Sequence, residues 1–346
     1  MIESSTSLIA VDVHDVVLRT RHLWEGLRHQ RIFLTGGTGF FGCWFLETFI
    51  YANEYLALNA SLMVLTRNKS LFLKKYPFFA TQSCLLFHEG DVRTFEFPSG
   101  VFSYVVHAAA IVATMVDKSV AQDIIVAGTK RVLAFAKQCM AEHVLYVSSG
   151  AVYGVQSPGL YGVSEQQVCA PDEHSAYAMG KYHAEQCCAL SALQEGLNIK
   201  IARCFSFVGP YLSLDGRFAI GNFIRNGLND QGIVIHGDGT PYRSYLYAGD
   251  LMVFLWSILF QGKANHPYNV GSPKAYSIAE IAAMVARCFN KDLSIKMLKS
   301  PQTHALLERY VPDVARVHQE LGLVARTDLM TAIHKTVQWH LAQKDC

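Results

Sequence analysis

The sequence predicts an α/β fold, a doubly wound parallel sheet with a smaller C-terminal lobe built over the sheet's carboxyl edge. Three observations predict it. Short, continuously apolar runs alternate with helix-length segments between Arg31 and Arg203. The strict apolar/polar alternation of hairpin strands is missing there. Beyond Arg203 turn residues break the rhythm, at Gly209-Pro210, Gly216, Gly237-Asp238-Gly239 and Pro241. Strands that are apolar throughout belong to sheets covered on both faces, as parallel sheets are.

Taken in order, residues 8–30 carry Val11, Val13, Val16, Val17, Leu18, Leu23, Trp24 and Leu27 among charges, and read as a helical extension docked on the body. Strands buried on both faces are predicted at 32–35, 62–66, 85–89, 104–107, 144–148 and 199–203. Helices are predicted between them at 39–53, 69–76, 120–140 and 176–196. The resulting organisation is an N-terminal extension (1–30), a main domain (31–204 with about 246–268) and a lobe formed by 205–245 and 269–346. The sequence carries no internal repeat, low-complexity tract or flexible linker.

With 346 residues, 51% of them hydrophobic and 17% charged, the chain can bury a large core. Thirty Lys and Arg against 28 Asp and Glu give a net charge of +2, so no general attraction to nucleic acid or anionic membrane is expected. The apolar run Leu251 to Phe260 falls short of the roughly 18 residues a membrane span needs, and Met1-Ile-Glu-Ser-Ser has no basic leader. Nine scattered cysteines, without CxxC or Cys/His ligand spacing, read as free thiols with no metal site. A cytoplasmic location follows as the expectation.

The segment Thr35 to Gly42 follows the first predicted strand and opens the first helix. Gly36, Gly39 and Gly42 form GxxGxxG there, flanking Phe40 and Phe41. Small residues allow the tight turn and the approach of backbone N–H groups to a pyrophosphate at the helix amino terminus. The second strand ends in Thr66-Arg67-Asn68, with no carboxylate for a ribose 2′-OH. Arg67 suits a 2′-phosphate, so NADP is favoured over NAD. Asp91 and Val92 follow the third strand, where an acceptor can meet the adenine amino group, and Ala108, Ala109 and Ala110 let the backbone run beside the cofactor. His107, just before them, reads as a satisfied core histidine.

Tyr177 and Lys181 stand four residues apart at the start of a predicted helix and so share one face. An ammonium there stabilises a tyrosinate and lowers the phenol toward working pH. A serine at the end of the strand carrying Tyr146-Val147-Ser148-Ser149 can hold the oxygen of a substrate as it becomes ketone or alcohol.

With these pieces the chain resembles the extended short-chain dehydrogenase/reductase family, in its nucleotide-sugar epimerase, dehydratase and ketoreductase branch, with a Rossmann-type fold. The carriers are TGGTGFFG (35–42), GDV (90–92), HAAA (107–110), SSGAVYG (148–154), YAMGK (177–181), RCFSFVGP (203–210) and GDGTPYRSYLYAGD (237–250). The resemblance implies that Ser149 is the catalytic serine, Tyr177 the acid/base and Lys181 its partner. It implies a nucleotide-diphosphate sugar as substrate, with Arg243 and Asn222 at the diphosphate, and a homodimer. Arg309 is a candidate second cation for the diphosphate.

Departures from the pattern narrow the chemistry. Sugar 4,6-dehydratases of this branch place an acid and a base directly after the serine or threonine, and here those positions are Gly150 and Ala151. Neither moves a proton, so hydride transfer at C4 by a ketoreductase or an epimerase is favoured. An atypical dehydratase and a non-catalytic dinucleotide-binding sensor stay as alternatives. Ser206 stands where the family's Arg-x-x-Asn pattern, beginning at Arg203, has asparagine.

Overall fold

The computed structural model describes residues 3–110, 118–157, 159–216, 218–289, 292–300 and 308–344. In chain order, α1 (Glu3–Arg19) leads to β1 (Arg31–Thr35), α2 (Phe40–Tyr55), β2 (Ser61–Thr66), α3 (Lys69–Lys75), β3 (Leu85–Glu89), β4 (Tyr104–His107), α4 (Lys118–Gln138) and β5 (His143–Ser149). The chain continues through α5 (Ala176–Glu195), β6 (Ile199–Cys204), β7 (Phe207–Val208), α6 (Ala219–Leu228), β8 (Ile233–Ile235), β9 (Tyr242–Arg243), β10 (Leu246–Tyr247) and α7 (Ala248–Gln261). It ends with β11 (Pro267–Val270), β12 (Tyr276–Ser277), α8 (Ile278–Arg287), β13 (Ile295–Met297), β14 (Arg309–Tyr310), α9 (Ala315–Leu321) and α10 (Leu329–Lys344).

Seven strands form one sheet in the order β11-β6-β5-β4-β1-β2-β3, every neighbouring pair parallel. From β1 the chain winds outward to β3, then crosses back to β4 and winds the other way. This reversal opens a crevice at the carboxyl ends of β1 and β4, where an α/β sheet offers room to a ligand.

All six predicted strands form, with ends shifted by no more than a residue. The expectation of burial on both faces fails for β3, which lies at the sheet's edge with Leu86 exposed. The seventh strand, β11, escaped prediction because a fully buried Asn269 interrupts its apolar signal. The asparagine is satisfied where it lies. Its Nδ2 donates to the carbonyls of Val163 (2.8 Å) and Asp313 (2.9 Å), and its Oδ1 accepts from the Tyr153 hydroxyl (2.8 Å).

The N-terminal segment is helical in two pieces, α1 and a tighter 3₁₀ stretch at Arg21–Leu27. Ile9, Val13, Val16 and Val17 form the buried stripe of α1, at the spacing one helix face requires. Val11 and Leu18, counted among the docking residues from sequence, fall off that stripe and are 73% and 43% exposed. Polar ties hold the segment to the body: Arg19 Nη1 donates to Asp250 at 2.6 Å, the Tyr247 hydroxyl donates to Asp12 at 2.7 Å, and Lys335 reaches the other Asp12 oxygen. Trp24 packs on Trp256 with ring centres 4.6 Å apart.

After β6 the chain builds β10-β7, β12-β9-β14 and β13-β8, sheets whose strands span only two or three residues. Helix α8 starts at a reciprocal cap, Ser277 accepting from Glu280 N and the Glu280 carboxylate accepting from Ser277 N. The apolar run 251–260 lies within α7, and among the described residues no helix is long and apolar enough to cross a membrane.

Glu47, buried in α2, accepts a hydrogen bond from the Tyr211 hydroxyl at 2.5 Å. Burial pushes its carboxyl up to about 7, against the lowering influence of that bond. Between the ordinary carboxyl value of 4.5 and about 7, the folded chain keeps a proton that the unfolded chain has released. Rising pH therefore withdraws stability across that window and no further above it. Glu47→Gln cannot titrate, so the wild-type Tm minus the variant Tm should fall from pH 4.5 to pH 7 and then level off; a pH-independent difference contradicts the assignment.

Candidate active site

The cofactor cradle is built by steric exclusion. Gly36 turns with φ +75°, and a Cβ on it would lie 2.7 Å from the backbone of Ala108 and Ala109. A Cβ on Gly42 would meet the Gly36 carbonyl at 2.3 Å, so α2 can start against the turn only with glycine there. Helix α2 begins after Gly39 with no side-chain cap and no acidic residue in its first turn. Its first N–H groups, Phe40 and Phe41 among them, are thus open to an anion, and these residues fit a dinucleotide pyrophosphate. Ala108 N and Ala109 N are tied to the Thr35 carbonyl (3.2 Å) and hydroxyl (3.1 Å), which fixes the β4 end beside the turn. Ala110 is exposed just beyond. His107 is a core residue, held between Thr35 (2.7 Å) and Thr129 (3.0 Å), and burial drives its imidazole down to about 3.

Arg67 is exposed at the end of β2 and lies near Asp91. Asp91 itself is engaged by Arg93, from Nε at 2.9 Å and Nη2 at 3.1 Å, and this pairing holds its carboxyl below the ordinary value. Any adenine contact by Asp91 is therefore made from within an ion pair. Val92 packs against Gly128 on α4.

Ser149 ends β5, and its Oγ caps the next turn by accepting from Ala151 N at 3.2 Å. Ser175 starts α5 in the same way, accepting from Ala178 N, which sets Tyr177 in the first turn. The Ser149 side chain stands near the Tyr177 phenol. Lys181 lies one turn further on, 2% exposed, its Nζ donating to the Val147 carbonyl at 2.6 Å and standing 6.0 Å from the Tyr177 ring centre.

The electrostatics differ from the sequence expectation. Burial raises the Tyr177 phenol, and the opposing influence comes from Ser149, not from Lys181. The ammonium is itself pulled down to about 8 by burial, against the nearby Cys204, Glu185 and Cys188. One of its N–H groups donates to the Val147 carbonyl, which holds the ammonium beside the first turn of α5.

One more turn along the same face stands Glu185, a residue the sequence reading passed over. Its carboxylate accepts from Arg203 Nη2 at 2.7 Å and Nε at 3.0 Å, and from the Ser148 hydroxyl at 2.5 Å. Arg203 also donates to the Tyr153 hydroxyl at 2.9 Å. Burial alone would lower the Arg203 guanidinium, but Glu185 and Tyr153 hold it raised. Tyr177, Lys181 and Glu185 thus repeat at i, i+4 and i+8, a signal that was available in the sequence.

On the substrate side, Asn222 is half-buried on α6. Arg243 pairs with Glu308 and donates to the Tyr242 carbonyl at 2.9 Å. Arg309 stands on the neighbouring β14. Its guanidinium stacks on Tyr242 at 4.4 Å, with Tyr161 at 5.6 Å, whereas Arg243 is in register with Tyr310. Alternation along a strand puts Arg243 and Tyr310 on one face and Arg309 on the other. The Tyr310 hydroxyl, unmarked in sequence, lies beside Gly150, 2.8 Å from where a Cβ there would stand. Ser206 sits in the wall after β6, its carbonyl accepting from Leu246 N at 3.0 Å.

Sheet order, glycine turn and the Ser149–Tyr177–Lys181 set together define an extended short-chain dehydrogenase/reductase. Residues 32–271 match the NAD dependent epimerase/dehydratase family, and the chain belongs to that family. It is 27% identical to UDP-glucuronic acid decarboxylase 6 of Arabidopsis thaliana over 301 residues, covering 85% of this chain and 84% of that protein. It is also 27% identical to a probable dTDP-glucose 4,6-dehydratase of Sinorhizobium fredii over 342 residues, covering 90% and 93%. The chain spans half the length of UDP-glucuronic acid decarboxylase 1 of Xenopus tropicalis, which it also matches. Among solved structures, DesIV, the dTDP-glucose 4,6-dehydratase of Streptomyces venezuelae with NAD bound, superposes with a TM-score of 0.78 at 25% identity, covering 91% of this chain and 98% of DesIV.

Replacing Glu185 with Gln leaves the Arg203 charge buried without a counter-charge. Such a loss costs about 3–5 kcal/mol. Urea unfolding of Glu185→Gln should register a destabilisation of that size, and a loss below about 1 kcal/mol would mean the pair is not the anchor described.

Proposed function

We propose that the protein is an NAD(P)-dependent oxidoreductase acting on a nucleotide-diphosphate sugar, transferring hydride at C4 as a 4-ketoreductase or 4-epimerase. The observation that carries this reading is the Ser149, Tyr177 and Lys181 set beside two residues, Gly150 and Ala151, that cannot move a proton. A bound nicotinamide supplies the hydride acceptor or donor. Tyr177 takes the proton of the sugar hydroxyl on oxidation or returns it on reduction, while Ser149 holds the same oxygen. Lys181 fastens α5 to the end of β5, so the phenol keeps its place above the crevice. Arg243 and Asn222 receive the diphosphate.

The ordinary dehydratase route is disfavoured by space as well as by chemistry. A Cβ on Gly150 would fall 2.8 Å from the Phe205 ring and 2.8 Å from the Tyr310 hydroxyl, so no acidic side chain fits there without displacing them. The decarboxylases among the relatives favour a second reading: oxidation at C4 of a sugar that bears a C6 carboxylate yields a β-keto acid, which loses CO₂ without a proton-transfer pair at 150 and 151. The intact catalytic set speaks against a sensor that binds the dinucleotide without turnover. Eight described cysteines, all free, support the cytoplasmic assignment. A homodimer through the outer faces of α4 and α5, where Leu190 and Leu193 are exposed, completes the proposal.

Mass spectrometry of the cofactor carried by the purified protein, followed by a nucleotide-sugar panel scored for isomer, ketone, alcohol or decarboxylated product, separates these activities. On whichever sugar is turned over, Tyr177→Phe should lower kcat by about 10²-fold or more and spare cofactor binding. Unchanged turnover sinks the reading. Arg67→Ala should weaken NADPH more than NADH in direct titrations, and equal weakening removes Arg67 from the 2′-phosphate.

A further inference from the structure

We propose that His107 is a positioning residue for the dinucleotide, holding the Ala109 backbone at the wall of the cradle through a one-way chain of hydrogen bonds anchored on α4. The inference rests on the reading of the Gly36 turn as the dinucleotide cradle, and it adds the part that keeps the facing wall in place. His107 ends β4, and its ring lies between Thr35 at the end of β1 and Thr129 on α4. Thr35, His107 and Thr129 are all buried, so each polar atom must find its partner in the protein.

The direction of the chain follows from counting protons. Thr129 Oγ1 has one, and it goes to the Ile125 carbonyl a turn back on α4 at 2.7 Å. The same oxygen stands 3.0 Å from His107 Nε2, so Nε2 must carry a proton and donate it. In the neutral ring Nδ1 is then bare and accepts from the Thr35 hydroxyl at 2.7 Å. Having given its proton to His107, Thr35 Oγ1 accepts from Ala109 N at 3.1 Å. Every donated proton thus points the same way, from Ala109 toward Ile125. A charged ring breaks this order, because both nitrogens would donate and the Thr35 proton would lose His107 as its acceptor. Burial opposes that charge, and so does Lys181, whose ammonium lies 4.9 Å from the centre of the Tyr146 ring that neighbours His107.

What the chain holds is the surface against which the glycine turn closes. Thr35 grips the end of β4 twice, its carbonyl accepting from Ala108 N at 3.2 Å and its hydroxyl from Ala109 N. The peptide between Ala108 and Ala109 is also the group that a Cβ on Gly36 would strike at 2.7 Å. With His107 fixed, the Thr35 hydroxyl serves both of its neighbours in one orientation, and Ala109 stays where the turn needs it. Without the ring acceptor that hydroxyl is free to rotate, and the wall loosens beside the pyrophosphate site. A histidine that is itself buried is thereby tied to cofactor affinity.

Histidine labelled with ¹⁵N would be read by NMR at pH 7 in the full chain, with His107 assigned by the signal lost in His107→Phe. The expected spectrum has the proton on Nε2 and a bare Nδ1; a proton on Nδ1, or on both nitrogens, overturns the proposal. Affinity is then measured by titrating NADPH and NADH into wild type, Thr129→Val, Thr129→Ser, His107→Phe and the double variant Thr129→Val with His107→Phe. Thr129→Val, at the far end of the chain, should weaken the tighter dinucleotide about fivefold, as the loss of one hydrogen bond does, and Thr129→Ser should restore it. The double variant should match His107→Phe alone, because Thr129 acts only through His107. Unchanged affinity in Thr129→Val, or a double variant weaker than His107→Phe, overturns the proposal. A loss of core packing alone would lower Tm without moving the dissociation constant, and that result overturns it too. Should His107→Phe fail to fold, the resonance moved by Thr129→Val identifies His107, and the two Thr129 variants decide. A wild type that binds neither dinucleotide removes the cradle reading and this inference together, whereas an Nδ1–H ring in a protein that binds one removes the inference alone.

Discussion

The buried ion pair between Glu185 and Arg203 is the constraint on which the site depends. It joins three elements at one point: α5 through Glu185, β6 through Arg203, and β5 through the Ser148 hydroxyl, which donates to the same carboxylate. Ser149 is the next residue on β5, and Lys181 lies one turn before Glu185 on α5. The distance between the serine and the phenol is therefore set by a contact just behind them, in the dry interior. Tyr153 and Asn269 extend the network to β11, so the sheet's last strand is fastened to the same polar core.

How much of this was legible in the sequence follows from how local each signal is. The glycine turn, the Tyr177–Lys181 pair and six strands are written in contiguous residues, and physical reading of spacing found them. Strand β11 was hidden because Asn269 puts a polar residue in a run of four, and only its three partners, remote in sequence, explain why it can be buried. Tyr310 was hidden for the same reason. Nothing near Glu308-Arg309-Tyr310 announces a place beside Gly150 and Phe205, and the charged neighbour Arg309 drew attention although strand alternation turns it to the other face. Spacing puts Lys181 beside Tyr177, but its bond to the Val147 carbonyl joins segments far apart in sequence and could not be read from either.

The N-terminal segment stands apart from the catalytic face. It lies against α2, α7 and α10, with Arg19 on Asp250 and Trp24 on Trp256. Asp250 also accepts from the backbone N–H groups of Arg326 (3.1 Å) and Thr327 (2.8 Å). One carboxylate thus secures the beginning of the chain and the approach to α10, and α2, which carries the glycine turn, is backed by α1.

The crowding around Gly150 constrains how this scaffold could change its chemistry. Phe205 and Tyr310 come from separate stretches of chain, and both crowd the volume that a longer residue at 150 would claim. A single substitution toward an elimination enzyme therefore meets a steric barrier before it can offer a new proton donor. The adjacent aromatic side chains would have to move aside or shrink, at the expense of the wall they form. Divergence between these chemistries is in this respect a coupled, multi-residue step, and order of replacement matters.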